Sequence, residues 1–445
     1  MSETVAAIAS PAGPGAIAVL RVSGPATTTV AMALLGERGA SLEERRATLA
    51  TARDAQGDVI DEVLATRFAA PRSYTGEDVL ELSCHGGILV TRRLLDRLVE
   101  CGARVAAPGE FTQRAFFNGK MDLTQAEAVM DVIAAQTDLA LKAAQHQLEG
   151  LLGEATEGLR RELLESVAHL EAYIDFPEED IDPDGAAQIA GRLGDCERRI
   201  AALLATAEQG RLLRHGVRTV IYGTPNVGKS SLLNVLLGAD RAIVSEIPGT
   251  TRDTVEEVID LGGIPVRLID TAGMRETADV IERHGVERTR RHLAEADLIL
   301  EVVDGSVPPG ERLAEEARSG RHHLLVINKV DLGRHPAWDD APGVEISCLE
   351  RTGLEDLTAA MKDELALGAG AWGREAVAVN ARHQACLRRA QEALGAARRQ
   401  LDAGTGPEFV AVDLREALEA VGEIAGRVDT EEILGEIFGR FCIGK

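Results

Sequence analysis

The sequence predicts an α/β plus α protein: an α/β domain at the N-terminus, a helical domain that is discontinuous in sequence, and a second α/β domain inserted into the helical one. Three observations predict this. Residues 1–118 alternate short apolar runs (GAIAVLRV, EVLATRFA, VLELSCHGG) with Gly and Pro punctuation, the texture of a mixed sheet with helices. From Met121 apolar residues recur at helical spacing, and that texture returns at Asn380. Between these blocks, from VRTVIYG at 217–223 to about residue 365, strand-like and helical segments alternate. Helices on both sides of an α/β block are most simply one domain interrupted by another, which sets the ranges at 1–118, at 119–212 with 371–445 for the helices, and at 213–370 for the insert.

Taken in order, an apolar-periodic helix is expected around 88–100, and T-Q-A-E at 124–127 reads as a capping box opening the helical part. IDFPEEDIDPDG, 174–185, lacks the Gly position and terminal Glu of an EF-hand and reads as a turn between helices. A second helix is expected over 186–212. Past the insert, Leu387, Leu394 and Leu401 share a helix face, and Asp413 and Asp429 or Thr430 are candidate N-caps.

At 445 residues the chain exceeds what one core supports, and 45% hydrophobic with 27% charged residues is ordinary globular composition. The start MSETVAAIAS has no basic n-region, and no window offers a membrane-length apolar run, so a cytoplasmic protein with no membrane partner is expected. The six cysteines form no C-x-x-C pair, which argues for reduced thiols and against a zinc site. A net charge of −24 excludes a general nucleic-acid coat, because affinity for phosphate backbones comes largely from Lys and Arg. Any RNA contact would use a local patch, such as Arg92, Arg93, Arg97 and Arg104, or Arg388, Arg389, Arg398 and Arg399; each alone reads first as a solvated helix face.

The inserted block carries the chemistry. GTPNVGKS, 223–230, matches G-x-x-x-x-G-K-[ST] between a strand and a helical run. Backbone N–H groups of Asn226, Val227 and Gly228, with Ser231 following, would close around phosphates; Lys229 would supply a point charge and Ser230 a hydroxyl for Mg²⁺. PVRLIDTAG ends an apolar run at Asp270, which reaches Mg²⁺ through water, with Thr271, Ala272 and Gly273 next to the γ-phosphate. HHLLVINKVD sets Asn328, Lys329 and Asp331 after another buried-type strand. Asp331 can accept both the imino and the amino protons of guanine, a pair of donors adenine lacks, so the nucleotide is GTP. SCLERTG, 347–353, is the base-stacking loop, with Ser347 as its contact and Cys348 where alanine is more usual. EIPGTTRD, 246–253, lies where a switch loop belongs: Glu246, Pro248 and Gly249 line it and Thr251 completes the Mg²⁺ shell. Together these make the insert a Ras-like P-loop GTPase domain. Met274 cannot orient an attacking water as glutamine would, so hydrolysis needs other help. Asn226 with carbonyls of the 245–250 loop could hold a monovalent cation, and Glu282 could orient water.

SYTGEDVLELSCHGG, PGEFTQRAF, MDLTQAEAV, GTPNVGKSSLLN, PGTTRD and the closing FCIGK resemble the MnmE (TrmE) family of tRNA-modification GTPases over essentially the whole chain. The resemblance implies hydrolysis activated by K⁺ and by pairing of two G domains across a homodimer, with Asn226, Ser245, Ile247 and Thr250 at the potassium site and Glu282 organising catalytic water. It implies an N-terminal dimerisation domain that binds 5-formyltetrahydrofolate or a related one-carbon tetrahydrofolate through Arg21, Glu81 and Lys120, with Lys445 nearby. It also implies work with the FAD-dependent protein MnmG on carbon 5 of the wobble uridine of certain tRNAs, installing a carboxymethylaminomethyl or aminomethyl group; FAD enters only through that partner.

Cys442 then has two readings. A thiolate adding at carbon 6 of uridine would make carbon 5 nucleophilic; alternatively the side chain is a small apolar anchor for the last helix, with Gly444 and Lys445 shaping the folate pocket. Lys445 would lower the thiol pKa and a preceding helix C-terminus would raise it. Two rival functions stand beside the family's: a ribosome-assembly GTPase, which needs a dedicated RNA-binding module, and a folate-dependent one-carbon enzyme with a regulatory G domain, which would turn folate over without tRNA.

Overall fold

The computed structural model describes residues 3–175, 186–239, 257–270, 290–365, 379–427 and 431–445. The chain forms two compact units, one of Met1–Met130, Gly153–Arg161 and Leu418–Lys445, the other of Asp131–Leu152 and Glu162–Ala417.

In the first unit, β1 (Val5–Ile8), β2 (Ile17–Ser23), β3 (Thr48–Arg53), β4 (Val59–Phe68), β5 (Val79–His85) and β6 (Arg104–Val105) make a six-stranded sheet in the order β3-β4-β5-β2-β1-β6. All neighbours are antiparallel except β1 and β6. The strands alternate as half-buried strands must. Leu20, Val22, Val63, Leu80 and Leu82 face a core completed by Val30 and Leu34 of helix Thr27–Leu35 and by Leu94 and Leu98 of helix Ile88–Glu100, at the range expected for it. The register sets Arg21 opposite Glu81.

Helix Glu110–Phe117 is held by charge. Glu110 accepts from Arg104 at 2.7 and 2.8 Å, from Arg114 at 2.8 Å and from the Ala107 N–H at 2.8 Å. Arg114 also reaches Glu77, which accepts from Ser23. Two members of the first basic cluster are likewise paired to acids, Arg93 with Asp54 and Arg97 with Glu100, as is Arg398 of the second with Glu197. These arginines are spent within the fold, which is the solvated-face reading.

In the second unit, β7 (Val217–Tyr222), β8 (Glu257–Asp260), β9 (Pro265–Asp270), β10 (Leu298–Asp304), β11 (His322–Asn328) and β12 (Val344–Glu345) make a sheet in the order β12-β11-β10-β7-β9-β8. It is parallel apart from β8, and the strands are near-continuous apolar runs because both faces are covered. The chain reverses direction across the sheet at β7, the switch point where such folds bind ligands beyond the strand C-termini. Helix Asp138–Leu148 joins this core through Ala140 and Ala143, and its N-cap Thr137 donates to the Gly263 carbonyl of the β8–β9 turn at 2.5 Å.

Three local expectations are corrected. The capping box opening helix Leu123–Ala134 is formed by Asp122 and Gln125, not by Thr124 and Glu127. Asp122 stands before a Gln at the same three-residue spacing, and the Thr124 hydroxyl donates to it at 2.7 Å. The helix expected over 186–212 is two, Ala186–Ala205 and Ala207–His215, broken at Thr206. Asp413 caps nothing, because Pro407 already starts helix Pro407–Ile424 from the first-turn position where a missing N–H costs nothing. Leu387, Leu394 and Leu401 do share one face of helix Ala381–Asp402, the first two fully buried and Leu401 half-buried near its end. Asp429 and Thr430 lie outside the described residues.

Burial raises the Glu110 pKa, but the bonds from Arg104, Ala107 and Arg114 outweigh it and hold the group at about 2, against 4.5 unperturbed. Since the folded value is the lower one, the stabilisation is complete above about pH 4.5 and fades as pH falls toward 2. Glu110→Gln is expected to cost about 3 kcal/mol at neutral pH. In thermal denaturation the gap from the unsubstituted protein should shrink as pH falls below about 4.5, and a gap that stays constant would contradict the assignment.

Candidate functional site: a phosphate loop and a base loop joined by one asparagine

The turn after β7 is shaped by three left-handed residues. Gly223 has φ 156°, and a Cβ there would lie 2.3 Å from the Val302 carbonyl oxygen. Gly228 has φ 102°, and a Cβ there would lie 2.2 Å from Asn328 Nδ2. Asn226, at φ 67°, is one of the residue types that tolerates this region. Helix Lys229–Ala239 follows, so its unpaired first-turn N–H groups and positive dipole end face the turn. Val227 is buried, while Asn226, Ser230 and Ser231 are exposed on the rim. The Lys229 ammonium donates to the carbonyl oxygens of Gly223 and Thr224 at 2.9 and 2.8 Å, so a charge already stands inside the loop.

The base loop leaves β11. Asn328 is 2% exposed; its Nδ2 donates to the Val227 carbonyl at 2.8 Å, and its Oδ1 accepts from the Cys348 N–H at 3.2 Å. Lys329 has φ 66° and places its ammonium 2.7 Å from Asp304 Oδ2. The Ser347 hydroxyl donates to Asp331 Oδ1 at 2.5 Å and also accepts from the Glu350 N–H at 3.0 Å. Asn328, Lys329, Asp331 and Ser347 are therefore brought to one place, beside Val227 and Gly228. Burial, with the Asp331 charge adding to it, pushes the Cys348 thiol up to about 11, so this unusual cysteine is an inert packing group. Asp270 ends β9, next to β7. Ser245, Glu246, Ile247, Pro248, Gly249, Thr250, Thr251, Thr271, Ala272, Gly273 and Glu282 lie outside the described residues.

In the first unit, Arg21 and Glu81 form an ion pair at 2.8 Å, with the guanidinium 5.1 Å from the Tyr74 ring centroid and 5.6 Å from that of Phe111. Arg21 Nη1 is buried and has no hydrogen-bond partner. Lys445 lies beside this pair: burial, and then Arg21, lower its pKa, with Glu81 and Cys442 opposing. The tail is fixed by backbone, since the Phe111 N–H donates to the Lys445 carbonyl at 3.2 Å, and a Cβ on Gly444 would lie 2.5 Å from the Ile8 carbonyl oxygen. Phe441 is buried against Phe438, whereas Cys442 is exposed. Anchoring therefore falls to Phe441 and Gly444 and leaves the thiol open. Lys120 instead donates to the Pro71 carbonyl at 3.0 Å.

Sequence reasoning missed two acids on β10. Glu301, 2% exposed, accepts from Arg312 at 2.8 and 2.9 Å, from the Leu313 N–H at 2.8 Å and pairs with His323 at 2.9 Å. Burial raises its pKa, yet those partners outweigh it and hold the carboxyl far below the usual range. The available signal was a lone carboxylate inside the apolar run LILEVV, which demands a buried partner. Asp304, at the end of that strand, is the second.

Among the described residues no group of His, Cys, Asp and Glu is arranged to hold a metal, and no helix is long and apolar enough to cross a membrane. The family model for the MnmE helical domain matches residues 123–442, and that for the GTP-binding protein TrmE N-terminus matches residues 4–120. The tRNA modification GTPase MnmE of Akkermansia muciniphila is 54% identical over 448 residues, covering 100% of this chain and 99% of that protein. Those of Geobacter metallireducens and Geobacter sulfurreducens are each 45% identical, with 100% of both chains covered. With a phosphate loop, a base loop and an ordered FCIGK tail, and with relatives alike from end to end, the chain belongs to the MnmE (TrmE) family of tRNA-modification GTPases.

Proposed function

We propose that this GTPase acts on the wobble uridine of certain tRNAs, hydrolysing GTP in its inserted domain to drive a conformational cycle while the chemistry at carbon 5 takes place at the N-terminal unit. The observation that carries the nucleotide half is the pairing of Asn328 with the Val227 carbonyl, which joins a phosphate loop to a loop bearing a guanine-type carboxylate, Asp331. The full-length family match sets aside the ribosome-assembly and folate-enzyme rivals.

Lys229, with the N–H groups at the start of its helix, holds the phosphates; its ammonium turns from the Gly223 and Thr224 carbonyls to phosphate oxygens. Ser230, Asp270 and Thr251 suit Mg²⁺, being hard oxygen donors. Asn226, exposed at the loop's crest, suits K⁺ together with Ser245, Ile247 and Thr250, and Glu282 orients the attacking water. Bound there, the two cations supply positive charge against the charge that develops on phosphate.

The first unit fits a folate. Arg21 Nη1 is a buried donor lacking an acceptor, Glu81 can accept from a pterin, and the partly exposed Tyr74 ring lies beside them. Lys445, with its lowered pKa, stands beside the pair, and Lys120 would leave the Pro71 carbonyl to join them. When bound, 5-formyltetrahydrofolate or a related tetrahydrofolate brings the one-carbon unit. Cys442 offers its thiolate to carbon 6 of uridine, which makes carbon 5 nucleophilic; loss of the carbon 5 proton after substitution and expulsion of the thiolate restore the ring. The protein works as a cytoplasmic homodimer with the FAD-dependent MnmG. In this reading the chain has three domains, 1–118, 119–212 with 371–445, and 213–370.

Lys229→Ala is expected to lower GTP hydrolysis at least about a hundredfold, read as phosphate release in potassium buffer. A rate near that of the unsubstituted protein would remove Lys229 from the phosphate site. Replacing potassium by sodium should slow the unsubstituted protein and leave Asn226→Ala, already slow, unaffected; equal sensitivity of both proteins would contradict the cation site. Cys442→Ser, expressed in cells lacking the gene, should leave wobble uridines without the 5-substituent in nucleoside mass spectrometry. Normal modification by that variant would refute covalent attack.

A further inference from the structure

We propose that Asp304 is a positioning residue for guanine, holding Lys329 so that the loop 328–331 is preorganised for the base. The inference deepens, and rests on, the assignment of that loop to GTP.

Asp304 is the last residue of β10 and stands in register with Asn328 on β11. One carboxylate oxygen receives the Lys329 ammonium at 2.7 Å. The other accepts both the N–H and the hydroxyl of Ser306, at 3.0 and 2.6 Å, so the carboxylate is fixed from two sides. The next N–H, of Gly305, donates to the Asn328 carbonyl at 2.8 Å, tying this turn to the strand that carries the base loop. Lys329 needs such a partner: its φ of 66° is a backbone state that L-residues avoid and that persists where the surroundings impose it. Burial raises the Asp304 pKa, but Lys329 and Ser306 outweigh burial and keep the group ionised.

With Asp304 neutral or absent, the ammonium is released and Lys329 is free to leave its left-handed state, carrying Asn328 and Asp331, its neighbours in the loop, out of alignment. The bound state must then order the loop that the folded protein had ordered in advance. The loss therefore falls on affinity. Nothing in the N-K-x-D motif points to Asp304, which lies 25 residues before Lys329.

The test uses the full-length protein with Asp304→Ala, Asp304→Asn and Asp304→Glu, following release of a fluorescent methylanthraniloyl-GDP and the KM and kcat for GTP. Asp304→Ala should speed release and raise KM by about tenfold or more, as expected for a lost charge-assisted bond, with kcat moving much less. Asp304→Asn keeps the shape and the Ser306 contacts but presents no charge, so it should fall with Ala; Asp304→Glu should recover part of the affinity. Release and KM within twofold of the unsubstituted protein, in Asn and Ala variants or in Asn alone if Ala does not fold, would overturn the proposal. So would a drop in kcat at unchanged KM. Preference of the unsubstituted protein for GDP over ADP is read in the same assay: its absence would remove the guanine assignment itself, whereas its presence with unchanged variants would remove Asp304 alone.

Discussion

The nucleotide site depends on the buried amide of Asn328. An unsatisfied amide in such a place would cost about 1–3 kcal/mol, and here both ends are used, one on the Val227 carbonyl of the phosphate loop and one on the Cys348 N–H. Much follows from that single placement. Gly228 has to be glycine because the amide occupies the space a Cβ would take. The phosphate loop and the base loop, 101 residues apart at this contact, become one frame in which ordering one half orders the other. Lys329, Asp304, Asp331 and Ser347 then complete a base loop whose polar side chains are each assigned before any ligand arrives.

The N-terminal unit applies the same physics to a chain end. A terminus frays unless backbone and packing tie it down. Here Phe441 enters an aromatic cluster, Gly444 crosses the backbone at Ile8, and the last carbonyl accepts from Phe111. The tail thus carries Lys445 to the Arg21–Glu81 pair and leaves Cys442 at the surface. Arg21 Nη1, a buried donor left without an acceptor, is a cost that a ligand's acceptor on this face would offset.

The motif at 223–230 was legible because it is a backbone requirement: glycine at Gly223 and Gly228 where φ is positive, a strand before, a helix after. The sequence carried partners poorly. The Asn328 strut joins residues far apart in sequence, so a motif that reads as base recognition gives no hint that it also braces the phosphate loop. Glu301 and Asp304 look like two acids in an apolar strand until Arg312, His323 and Lys329 are placed in space. Arginine clusters counted along the chain suggested basic patches, but Arg93, Arg97, Arg104 and Arg398 meet acids brought from elsewhere or from the next helical turn. At the start of helix Leu123–Ala134 two capping patterns overlap, and the acid, which accepts a second bond from Thr124, takes the cap.

The function proposed for this tRNA-modification GTPase requires the protein for the 5-substituent of wobble uridines. The direct measurement is nucleoside mass spectrometry of tRNA from cells lacking the gene and from the same cells with it restored. Loss of the 5-substituted uridine on deletion and its return on restoration is the expected result. Wobble uridines unchanged by deletion would contradict the account.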